Sequence, residues 1–134
     1  MHYNDEKDYL MRMMKEAARV LFSVVLGKQY TQVELEKEAK YQVSGKRLDS
    51  YREMIDQGNI NEAENMLLED IDYNNNKEVA AAILVYQYIG EKDEAFLRGN
   101  GYSREEALDG LKHLAELAGY QEVCDVFGAE VGNQ

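Results

Sequence analysis

Apolar residues cover most of a helical circuit between Asp5 and Leu26. Tyr9, Leu10, Met11, Met13, Met14, Ala17, Ala18, Val20, Leu21, Phe22, Val24 and Val25 recur there, while Arg12, Lys15 and Arg19 fall in one narrow strip. A surface helix ordinarily carries a narrower apolar stripe, so this one must be covered on more than one side. Gly27 is placed to end it in a left-handed cap. A second helix is predicted from Thr31, where Thr31 and Glu34 have capping-box spacing. Its apolar set (Val33, Leu35, Ala39, Val43) is thin, and Ser44-Gly45 breaks it. Leu48, Tyr51, Met54 and Ile55 mark a helix that ends at Gly58. Asn59 and Glu62 repeat the cap spacing before Ala63, Met66, Leu67 and Ile71. After Asn74 and Asn75, the run from Val79 to Tyr86 is apolar on nearly all sides and predicts a central buried helix ending at Gly90. A short helix with Ala95, Phe96 and Leu97 follows, then a turn at Gly99-Asn100-Gly101. Ser103 and Glu106 open a helix with Ala107, Leu108, Leu111, Leu114, Leu117 and Ala118 on one face, closed by Gly119. Val123, Cys124, Val126 and Phe127 suggest a last short helix. No segment alternates with period two long enough to predict a strand.

These elements predict an all-α fold of six or seven helices in stacked antiparallel hairpins, forming a short superhelical array. The helix ends at Gly58, Gly90 and Gly119 recur at about the period of helix-pair repeats. Charge divides the chain unevenly. Residues 1–44 balance seven acids against seven bases, so the whole net charge of -11 lies beyond them. We therefore expect an N-terminal amphipathic helix at 1–30, an acidic helical-hairpin body at 31–128 and a tail at 129–134.

Three stretches carry a resemblance. They are Asp8-Tyr9-Leu10-Met11-Arg12-Met13-Met14-Lys15-Glu16, Gly58-Asn59-Ile60-Asn61-Glu62-Ala63-Glu64-Asn65, and Phe96 through Ser103-Arg104-Glu105-Glu106. Together they resemble a family of small acidic helical proteins of unknown function from Gram-positive anaerobic bacteria. The stretch from Gly58 to Leu67 also resembles the middle turn of a tetratricopeptide-like helix pair, with Ala63 as the small packing residue. The resemblance implies a binding scaffold and supplies no site residues.

Composition narrows the function classes. The 134 residues suffice for one domain. A net charge of -11 argues against a broad nucleic-acid surface, which needs clustered Lys and Arg. The single cysteine, Cys124, can form neither an internal disulfide nor a cysteine-based metal site. The acidic start lacks the basic region of a secretory signal, and charges interrupt the apolar stretch from Tyr9 to Leu26. A cytoplasmic chain is the expectation.

Candidate chemistry is sparse. Asp70, Asp72 and Asn74 match positions one, three and five of a calcium loop, but Asn75 stands where the turn glycine belongs and Ala81 where a bidentate glutamate belongs. The bland reading is a polar inter-helix loop. Cys124 lies between Val123 and Asp125, which suits a small core residue better than an activated thiol. His113 has no specified catalytic partner. No phosphate loop, G-x-S-x-G or H-E-x-x-H motif occurs, so we expect neither an enzyme nor a cofactor or metal. The ten tyrosines suit inter-helix seams, with a tyrosine-lined peptide groove as the lesser reading. The wide apolar face of the first helix is the stronger hint. Three coverings fit it: the body of its own chain, a second copy, or a membrane or another protein; Leu10, Met13, Met14, Ala17, Leu21, Phe22 and Val25 are the expected interaction surface where the cover comes from outside. The predicted function is a non-enzymatic protein-interaction or scaffold module that self-associates through this helix, most simply as a dimer. One alternative is a membrane-surface accessory protein using the same helix. Another is a small ligand-binding protein or an enzyme without a familiar motif.

Overall fold

A computed structural model describes residues 2–27 and 41–123. The described chain runs α1 (His2–Leu26), β1 (Gln42–Val43), β2 (Lys46–Arg47), α2 (Leu48–Asp56), α3 (Ile60–Glu69), α4 (Asn76–Gly90), α5 (Glu94–Gly99) and α6 (Arg104–Leu117). The chain is helical again at 121–123. Among the described residues the fold is all-α, apart from one two-stranded hairpin.

α4 is the axis of the molecule. From Val79 to Gly90 every residue except Tyr88 is buried. A helix that is apolar all round must be surrounded, and α1, α2, α6 and β1 surround this one. Asn75 starts it by accepting hydrogen bonds at its side chain from the Lys77 and Glu78 amides. Arg104 stops it from outside. Its Nε and Nη2 donate to the carbonyls of Gly90 and Lys92, at 2.8 and 2.6 Å, where a helix C-terminus leaves carbonyls unpaired. The side chain is thereby held in a buried position.

The most extensive helix contact joins α1 to α4, which are far apart in sequence. The helices therefore gather round a centre instead of stacking in chain order, as a linear hairpin array would have them. Met14 lies against Gly90, where an added Cβ would come within 2.4 Å of the methionine Cγ. A glycine is what lets the two helices approach there. Met13, Met14, Ala17, Leu21, Phe22 and Val25 are all buried within this chain, and Leu10 is half-buried. Of the three coverings open to this face, the structure shows the first: it is part of the protein's own core and not an intermolecular seam. The physical reason is the apolar circuit of α4, which needs a wide apolar partner and finds one in α1. Gly27 takes positive φ at the end of α1, as its sequence position suggested.

The second predicted helix is corrected in part. Residues 31–40 lie outside the described ones. Val43, assigned to that helix, belongs to β1, which pairs antiparallel with β2. Ser44 and Gly45 both have positive φ, at 53° and 75°, and form the tight turn between the strands. Strands of two residues are too short to show a period. Of the predicted caps, Ser103 accepts from the Glu106 amide, whereas Asn59 caps α3 without a side-chain hydrogen bond. Cys124, Val126, Phe127 and the tail at 129–134 lie outside the described residues.

Candidate functional site: a tyrosine and carboxylate face between α3 and α6

α3 packs on α2, and its side chains bond to α4 and to the turn before α6. Tyr86 of α4 fills the space between. Its hydroxyl donates to Glu64 Oε2 of α3 at 2.7 Å, and its ring lies against Gly110 of α6. A Cβ at Gly110 would come within 2.4 Å of Tyr86 Cε1, so the ring can be seated only because this position lacks a side chain. Tyr102, just before α6, donates to the other Glu64 oxygen at 3.1 Å. One carboxylate therefore accepts from two buried phenols. At the same end, Asn61 Nδ2 donates to the Gly101 carbonyl at 3.3 Å. These bonds tie α3 to α4 and to the turn before α6.

The electrostatics follow from burial. Burial raises the Tyr86 hydroxyl above its ordinary range, and the charge of Glu64 raises it further. Burial does the same at Tyr102, where Glu64, Glu106 and Asp109 add to the effect. Both phenols are thus held as neutral donors. Tyr73, half-buried in the loop before α4, lies near enough to act electrostatically on Tyr86.

Helical periodicity extends the face along both walls. Leu68 stands one turn beyond Glu64 on α3 and is 36% exposed. Leu117 stands two turns beyond Gly110 on α6 and is 49% exposed. With Val24, these are the exposed large hydrophobic residues among the described ones. Glu106 and His113 share the Gly110 side of α6, and both are exposed. Leu68, Leu117, Glu106 and His113 are thus exposed, while Tyr86 and Tyr102 are buried with their hydroxyls bonded to Glu64.

Other clusters satisfy themselves. Asp56 accepts from Tyr88 at 2.7 Å and pairs with Lys92 at 2.5 Å. Lys92, and then the Tyr88 hydroxyl, hold the Asp56 carboxyl below the usual range. Lys92 also lies 4.6 Å from the Tyr88 ring centre. The loop that resembles part of a calcium site serves the hairpin. Glu78 Oε1 accepts from the Ser44 and Asp72 amides, and Asp72 accepts from the Asn74 amide. Ser44 Oγ donates to the Leu67 carbonyl at 2.6 Å and accepts from the Asp70 amide. His113 is exposed, 3.9 Å from Glu116.

The family model that matches this sequence covers residues 4–119 and is described as a family of unknown function. The chain belongs to that family, DUF6483. No curated protein and no solved structure matches it. The matched range contains the whole face from Asn61 to Leu117. Among the described residues, no helix is long and apolar enough to cross a membrane.

The apolar pattern points to α1 as the interaction surface, with a tyrosine-lined groove as the lesser reading. The structure brings Tyr73, Tyr86 and Tyr102 together with Glu64. Gly110 was the missed signal. A glycine inside an otherwise regular helical pattern costs about 1 kcal/mol against alanine, so it marks a close approach.

Proposed function

We propose that this chain is a non-enzymatic protein-interaction module whose binding surface is the face between α3 and α6. The observation that supports it is the exposure of Leu68 and Leu117 on the two helices flanking the Tyr86–Glu64–Tyr102 cluster. Exposed apolar side chains close to ordered polar groups are the usual makeup of a recognition surface. The proposal moves the interaction away from α1, whose apolar face is spent on α4. The membrane-surface alternative loses the same face, since Met14, Leu21 and Phe22 are not available to lipid.

The test is capture of partners from native lysate by the intact chain and by the Leu68→Ser, Leu117→Ser double variant. Both positions are exposed, so the variant should fold. The proposal expects a discrete partner that the double variant no longer retains. A partner retained equally by both chains would move the surface elsewhere.

A further inference from the structure

The turn after α5 holds the one Asn-Gly pair in the sequence, Asn100-Gly101. Such a pair is chemically labile. With no side chain on the glycine, its backbone nitrogen can reach the amide carbon of the asparagine before it. Here the fold holds the two reacting atoms apart. Asn100 Nδ2 donates to the Phe96 carbonyl at 2.8 Å. Asn100 Oδ1 lies so close to Gly58 that a Cβ on that glycine would come within 2.4 Å of it. The Gly101 N–H donates to the Arg98 carbonyl at 3.2 Å, and the Gly101 carbonyl accepts from Asn61 Nδ2 at 3.3 Å. Ring closure also requires the Gly101 nitrogen to eclipse Asn100 Cβ about the Cα–C bond. The ψ of 19° at Asn100 places that nitrogen close to Asn100's own nitrogen instead.

We propose that Asn100 is a self-modification site latched by the fold: its amide deamidates when this turn opens, and the product cannot re-form the latch. In the reaction the Gly101 nitrogen bonds to Asn100 Cγ and the Cγ–Nδ2 bond breaks. Ammonia leaves with the proton from the Gly101 nitrogen. Water then opens the cyclic imide at either carbonyl, giving aspartate or isoaspartate at position 100. Neither product can donate to the Phe96 carbonyl as the Asn100 amide does. Each brings a carboxylate to the space between that carbonyl and Gly58. A half-buried carbonyl that loses its donor and faces an anion is costly. Isoaspartate also adds a carbon to the backbone of the turn. The change lies two residues before Tyr102, whose hydroxyl donates to Glu64. The site does not depend on the binding role proposed above.

The experiment incubates the full chain at mildly alkaline pH, folded and in concentrated urea. Trypsin then releases the peptide Gly99–Arg104, and liquid chromatography with mass spectrometry separates its asparagine, aspartate and isoaspartate forms. Asn100 should convert readily in urea and at least about tenfold more slowly in the folded chain, as a group does that reacts only from an open state. Asn61→Ala frees the Gly101 carbonyl, and Gly58→Ala displaces the Asn100 amide. Each should raise the folded-state rate about two- to tenfold, the range of one lost hydrogen bond. The Asn100→Asp chain should melt about 3 °C or more below the parent. Equal rates in the folded and unfolded chains would overturn the latch. So would a folded-state rate untouched by Asn61→Ala in a chain whose circular dichroism is native. An absence of conversion in urea would overturn the site itself. An Asn100→Asp chain that melts with the parent would overturn the one-way step.

Discussion

Replacing Gly110 by alanine should destabilise the chain, although alanine is the better helix former. On an exposed helix the change would stabilise by about 1 kcal/mol. Here the new Cβ would come within 2.4 Å of Tyr86 Cε1. Carbon atoms pack at about 3.5–4.0 Å, so the ring or α6 must move by more than 1 Å. The ring has nowhere easy to go. Tyr86 is 1% exposed, and its hydroxyl is held 2.7 Å from Glu64. Overpacking of a well-filled site costs about 1–3 kcal/mol, and a rigid ring belongs at the upper end. The net expectation is a loss of about 1–2 kcal/mol. In a Tyr86→Leu background the clash disappears, and the same substitution should stabilise by about 1 kcal/mol. Urea denaturation of the four chains, followed by far-ultraviolet circular dichroism, gives the coupling between the two positions. Stabilisation by Gly110→Ala in the wild-type background, or coupling below about 0.5 kcal/mol, would refute the wedge between α4 and α6.

Leu84→Ala, on the buried helix α4, should cost about 2–5 kcal/mol in the same denaturation assay; a loss below about 1 kcal/mol would contradict its place in the core. Arg104→Met removes two charged donors from the carbonyls of Gly90 and Lys92 and should cost about 2–4 kcal/mol, with the loss of amide-exchange protection greatest in the last turn of α4. Spectrophotometric titration of the phenols should show Tyr86 and Tyr102 keeping their protons above the ordinary tyrosine range near pH 10. Because their folded-state values are raised, their contribution to stability is complete below about pH 10 and is lost as pH rises above it. Reversible ionisation of Tyr86 and Tyr102 near pH 10 with the helices intact would contradict their burial.

The helices were largely legible because apolar periodicity reports burial directly. The Val79–Tyr86 run announced α4 as the central element, and the structure buries it on all sides. What periodicity does not carry is which faces meet. The apolar circuit of α1 requires cover, but the pattern alone cannot say whether the cover comes from α4 or from another chain. The hairpin at Ser44-Gly45 was hidden because its strands have two residues each, and its turn chemistry resembles a helix stop. The candidate face was hidden for a different reason. Glu64, Tyr86, Tyr102 and Gly110 come from four parts of the chain, and their meeting depends on long-range packing. Even so, Gly110 inside a regular helix and an acidic α6 were visible as local departures from the best helix formers.

Site-specific photo-crosslinking in source cells tests the central claim most directly. A photoreactive residue is placed at Leu68, at Leu117, and at exposed Arg12 on α1 as a comparison. The account predicts the same crosslinked partner from Leu68 and Leu117 and none from Arg12. Crosslinks to a partner from Arg12, with none from either leucine, would return the interaction to α1 and contradict the assignment of the face between α3 and α6.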